Sequence, residues 1–110
     1  MRVAVPTKNS NGLKGEVAEV FSRAPFFTIF DFNDSKPKDV YVVDNTASTY
    51  SHGAGPISVK ILNDNKVELL LAPEIGIGAS TLLEMMKIKY RKVEKNVRVS
   101  ILLNELNIGH

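Results

Sequence analysis

Two glycine-bearing segments are where this chain could do chemistry: Ser51-His-Gly-Ala-Gly-Pro56 and Pro73-Glu-Ile-Gly-Ile-Gly78. Each runs into apolar residues at helical spacing, and the start of a helix offers unpaired N–H groups that attract anions. Gly53, Gly55, Gly76 and Gly78 would let the backbone approach a guest closely. The plainer reading is that they only permit tight turns and helix–strand packing. His52 is one of two histidines. A loop imidazole can bind a transition metal, relay a proton or meet an anion when charged, or else sit solvated in its turn. Arg23, in Ser22-Arg-Ala-Pro25, could clamp an anionic group through its planar fork of donors. Glu74 completes the set and brings a negative charge to the second segment.

Several chemistries are excluded by what is missing. The chain has no cysteine, which removes disulfides, thiol nucleophiles and thiolate-held zinc or iron–sulfur centres. Neither glycine segment carries the lysine and hydroxyl of a phosphate-binding loop, or the third glycine and downstream acid of a dinucleotide fingerprint. His52 is the single candidate metal ligand, with no further ligand at workable spacing around it. A metal-dependent hydrolase would need clustered carboxylates. The first strand has none, and Asp31 and Asp44 at strand ends read first as turn formers. Ser51, His52 and Asp44 can be drawn as a triad, but adjacent Ser and His in one turn point apart. His110 ends the chain and is assigned no role.

The elements that must position these residues follow from periodicity. Residues 2–6 alternate and end at Pro6, a short first strand. Residues 8–15 are turn chemistry. Residues 26–32 and 40–43 are β-branched and aromatic runs joined by a loop over 33–37, hence an antiparallel hairpin. Pro56 fits a first helical turn, with Ile57, Ile61 and Leu62 on its apolar stripe. Residues 67–72, nearly all apolar, suit a strand covered on both faces. A second helix begins at Ala79, and residues 89–93 form a last strand. Residues 95–107 alternate like a strand at Val97, Val99 and Ile101, yet length and Gly109 favour helix. The order predicts an α/β fold with a mixed five-stranded sheet and a parallel second half. Both glycine segments should then leave the sheet at one edge.

Composition bounds the rest. The 110 residues, 44% of them hydrophobic and 24% charged, suffice for one domain over 1–110 with its own core. A formal charge of +2 is too small to be a nucleic-acid footprint. The phenylalanines of 26–32 lack the interleaved basic residues of a stacking platform and are assigned to the core. No stretch approaches a membrane span and the first residues are too short for a signal peptide, so the expected location is cytoplasmic.

Four segments in order carry a resemblance: Arg2-Val-Ala-Val-Pro6, Val20-Phe-Ser-Arg-Ala-Pro-Phe-Phe-Thr-Ile-Phe-Asp31, His52-Gly-Ala-Gly55, and the strand and glycine turn over 69–78. Together they resemble the dinitrogenase iron-molybdenum cofactor biosynthesis family, in its small stand-alone form. The resemblance implies a three-layer α/β/α, ribonuclease H-like, nitrogenase accessory factor-like fold. It also implies a non-catalytic binding or carrier protein that takes up an iron-sulfur or iron-molybdenum type cluster transiently, with metal-cofactor assembly proteins as partners. Ser22 stands where the family segment usually has glycine, and Pro73-Glu74 stands where a glycine pair is common. The alternatives are a protein-interaction module without cofactor and, behind it, the metal-dependent hydrolase.

Overall fold

The computed structural model describes residues 1–34 and 36–105. Five strands form one sheet: β1 (Arg2–Thr7), β2 (Phe26–Asn33), β3 (Lys36–Asp44), β4 (Leu69–Ala72) and β5 (Lys89–Lys92). Among the described residues, three α-helices, α1 (Ala54–Asp64), α2 (Ile77–Met85) and α3 (Val99–Glu105), and two 3-10 turns, Gly12–Lys14 and Phe21–Arg23, complete the order. The strands lie β3-β2-β1-β4-β5, with β1 antiparallel to β2 and parallel to β4, and β4 parallel to β5. The mixed five-stranded α/β sheet expected from the sequence is therefore present, and α1 carries the chain from the β3 edge across to β4.

Alternation along the strands sorts the core into two halves. Val3, Val5, Phe30, Phe32, Leu69 and Leu71 face α3, whereas Ala4, Phe27, Ile29, Leu70 and Ala72 face α1 and α2. Layers on both sides of the sheet explain why β4 is apolar at every position and buried throughout. Each large apolar side chain so buried stabilises the fold by about 1.5–3 kcal/mol before entropy is counted.

Several boundaries differ from expectation, each for a local reason. The hairpin is tighter than a 33–37 loop, because Asn33 already pairs with Lys36. Pro37 does not stop β3, which is an edge strand where a missing N–H costs no ladder bond. The strand expected at 67–72 begins at Leu69: Val67 N–H donates to Leu62 O at 3.0 Å and so closes the end of α1. α2 begins at Ile77 and not Ala79, since the Ser80 N–H reaches Gly76 O at 3.0 Å and draws Ile77 and Gly78 into the first turn. The strand-like alternation near Val97 is partly realised: Val17 N–H donates to Val97 O at 2.8 Å beside an isolated Glu16–Arg98 bridge, before α3 takes over. Gly109 and His110 lie outside the described residues. Among the described residues, no helix is long and apolar enough to cross a membrane.

Candidate functional site

One edge of the sheet collects the ends of β1, β4 and β5. Because Thr7 pairs with Phe26 and Phe26 with Asp44, the start of β2 and the end of β3 lie on the same rim. The chain therefore leaves β3 over 45–53 and β4 over 73–76 at one edge, and it enters β2 there over 20–25.

Hydrogen bonds stitch these three segments together. Phe21, in a 3-10 turn over Phe21–Arg23, donates its N–H to Glu74 O at 3.1 Å. Asn45, 3% exposed, donates from Nδ2 to Ala24 O at 2.9 Å and Ser22 O at 3.2 Å. Its Oδ1 accepts from Ala47 N–H at 3.2 Å, an Asx turn, and lies 3.3 Å from Ser58 Oγ in α1. Asn45 thus fixes the rim without facing solvent. The sequence reading passed over it, although an Asn closing a strand is a turn signal.

Arg23 is exposed, and its guanidinium donates to the Ser48 and Tyr50 carbonyls. It holds the loop ahead of His52; two carbonyls do not exhaust five guanidinium donors. His52 is exposed. Gly53 caps α1 with φ at 77°, a left-handed conformation that L side chains rarely adopt. Gly55 follows in the first turn, where an added Cβ would lie 3.7 Å from Ala79 Cβ in α2. The two helices therefore start in contact. Gly76 caps α2 in an extended conformation, Gly78 lies in its first turn, and both are exposed with open space beside them. The Glu74 side chain is exposed on the same rim.

Neither helix start has a side-chain cap or an acidic residue in its first turn. The N–H groups of Ala54 and Gly55 in α1, and of Ile77, Gly78 and Ala79 in α2, precede the first intrahelical acceptors. Pro56 contributes no N–H. Two dipoles thus present their positive ends side by side.

Hollows near the rim bring in residues the sequence reading did not single out. One of about 320 Å³ runs beside Arg23, Lys8 and Glu19; another, about 490 Å³, runs beside Glu74, Glu19, Lys92 and Lys95. Glu19 and Lys95 approach to 3.8 Å. The basic run from Lys87 to Lys95 was the visible signal for this wall. A further hollow, about 670 Å³, lies between α2 and β5.

The chemistry on hand is that of anion contact. Among the described residues, no group of three or more His, Asp and Glu side chains is placed to hold a metal ion, and the chain has no thiolate. A tightly ligated resident cluster does not fit these residues. Asp31 and Asp44 sit at opposite ends of the sheet, since Asp31 pairs with Arg2 at the start of β1. Arg2 Nε holds the Asp31 carboxylate at 3.1 Å. Distance removes this pair as a two-metal site.

Strand order, layers on both faces and paired helix starts define a small three-layer α/β/α domain. The chain belongs to the family described as dinitrogenase iron-molybdenum cofactor, whose profile matches residues 1–108. Solved structures agree. The apo form of the orange protein from Desulfovibrio gigas is 30% identical, with a TM-score of 0.81 over 94% of this chain and 83% of that one. A Thermotoga protein provisionally described as NifB is 32% identical, with a TM-score of 0.76 over 94% and 84%. A provisional dinitrogenase from Methanocaldococcus jannaschii, 17% identical with a TM-score of 0.64 over 94% and 88%, shares the fold. No curated protein matches the sequence.

Proposed function

We propose that this protein is a small non-catalytic carrier that transiently holds an anionic metal–sulfur cofactor as cargo. Its contact surface is the rim formed by Arg23, the turn at His52, Gly53 and Gly55, and the turn at Glu74, Gly76 and Gly78. One observation carries the reading: two helices without side-chain caps begin in contact at one edge, with Gly55 against Ala79. Backbone N–H groups and a guanidinium can hydrogen-bond the sulfides of such a cargo, and His52 can supply one metal ligand. With no cysteine, the grip is weak and reversible. Weak grip suits delivery, and Glu74 on the rim keeps it weak. Membership of the family, and an orange-protein relative solved in an apo form, support the same direction. The implied partners are metal-cofactor assembly proteins in the cytoplasm.

The test is an anaerobic titration of the wild type and His52→Ala with a preassembled anionic iron–sulfur cluster, followed by absorption and circular dichroism. Saturable spectral change that His52→Ala weakens supports the carrier. Equal and negligible changes in both proteins end it. A protein-interaction module without cofactor is favoured by a different observation: Ile77 is 89% and Met85 68% exposed on α2. On the aromatic strand β2, Phe27 and Phe30 are fully buried, and α3 exposes Ile101. Light scattering and a pull-down that lose their signal with Ile77→Ser, in a protein that binds no cluster, would select that alternative.

A further inference from the structure

β5 is one edge of the sheet, and its outer side is regular. It pairs with β4 in unbroken register, from Leu69 against Lys89 to Ala72 against Lys92. Lys89 N–H donates to Glu68 O at 2.9 Å and Val93 N–H to Ala72 O at 3.2 Å. Backbone direction alternates along a strand, so the N–H and C=O groups of Tyr90 and Lys92 face outward. The opposite edge is blunted: β3 carries Pro37, a register shift against residues 29–31, and Asp39 with φ at 53°. β5 has no proline, register shift or positive φ, and is guarded only by its four-residue length and its charges.

Its side chains also alternate. Lys89 and Arg91 stand in register with Leu69 and Leu71 on the α3 side, and Tyr90 and Lys92 with Leu70 and Ala72 on the α2 side. Tyr90 lines the 670 Å³ hollow with Ile75, Leu83 and Ile88, and Glu84, Lys87 and Lys89 border it. A strand laid along β5 would thus have one face beside Lys89 and Arg91 and the other beside a recess with Ile75, Leu83 and Ile88 in its wall and Lys87 and Glu84 at its border.

We propose that β5 accepts an extended acidic segment of a partner protein as a sixth strand, with carboxylates alternating with apolar side chains. Charge selects this occupant. A second copy of β5 would set Lys89, Arg91 and Lys92 against their own kind, and like charges facing across strands destabilise pairing. Carboxylates on an incoming strand meet Lys89 and Arg91 instead, its apolar residues enter the recess, and backbone bonds to Tyr90 and Lys92 supply the register. This surface adjoins the glycine rim at Lys92, which also lines the hollow beside Glu74, and exchange at the Tyr90 and Lys92 amides against cluster spectra distinguishes the two proposals.

The experiment titrates the full-length isotope-labelled protein with two blocked pentapeptides, one alternating Glu with Leu and one alternating Lys with Leu. The acidic peptide is expected to bind at least about tenfold tighter and to slow hydrogen exchange at the Tyr90 and Lys92 amides. Arg91→Glu, an exposed change, is expected to reverse the preference between peptides. Absence of binding, equal affinity, or binding with unchanged exchange at those two amides overturns the proposal. So does tighter binding of an oligothymidylate, or self-association through β5 that the acidic peptide displaces.

Discussion

Asn45 shows how much of the rim depends on one amide. Its Nδ2 serves two carbonyls of the chain entering β2, and its Oδ1 serves the turn leading toward α1. Removing a partner from buried polar groups costs more than a typical bond is worth, because the groups left behind are desolvated and unpaired. Asn45→Ala should therefore destabilise the fold by about 2–4 kcal/mol, read from the urea midpoint; a loss within experimental error would show that water replaces the amide freely. Tyr90 gives a second test at this scale. Burial first, and the Glu74 carboxylate second, push its phenol above the ordinary value of 10.0. A group raised in the folded state gives stability that is complete below its unfolded pKa and is lost as pH rises through the folded one. Stability should therefore fall as pH climbs past about 10, and Tyr90→Phe should flatten that decline. At neutral pH the same change gives up the 2.9 Å bond to Ala72 O, a cost of about 0.5–1.5 kcal/mol. Equal alkaline slopes in the two proteins would reject the assignment.

At the scale of elements, apolar periodicity was legible and backbone bonds at the ends were not. The run before Pro73 identified β4, because a strand covered on both faces has no polar side to show. The start of α2 was misplaced by two residues. Gly76 and Gly78 read as loop, yet the bond from Ser80 N–H to Gly76 O makes them the cap and first turn. Nothing in the residue types distinguishes a glycine that ends a loop from one that opens a helix. Gly55 is a clearer case once α1 and α2 are seen in contact. An added Cβ there meets Ala79 at an ordinary van der Waals separation, so Gly55→Ala should be tolerated. Gly55→Leu sends a longer side chain toward Ala79 and should cost about 1–3 kcal/mol by forcing the helix starts apart. Thermal unfolding of the two variants compares them directly, and equal midpoints would mean that this contact does not set the helix spacing.

For the whole molecule, a mixed sheet with a parallel second half was recoverable because hairpin and crossover connections leave few topologies, and that arrangement predicted a common edge for both glycine turns. What joins them was not recoverable. The backbone bond from Phe21 N–H to Glu74 O, and the side-chain bonds from Arg23 to the Ser48 and Tyr50 carbonyls and from Asn45 to Ala24 O, join segments far apart in sequence, and none has a periodic signature. His52 before α1 and Gly78 inside α2 lie on one rim, so under the proposed carrier role their contributions to one cargo should couple. Sites acting on separate guests give additive losses, whereas neighbours acting on one give interaction energies of about 0.5–3 kcal/mol. The expected outcome is that His52→Ala and Gly78→Ala each weaken cluster binding in the anaerobic titration and that the double variant loses less than their sum. Gly78→Ala should meanwhile leave the fold intact, since a Cβ there meets no atom within 4 Å and alanine is the better helix former. A methyl group over the α2 amides would nevertheless occupy the open space through which the proposed cargo approaches. Losses that add to within about 0.3–0.5 kcal/mol would separate the two turns and leave α2 outside the cargo site.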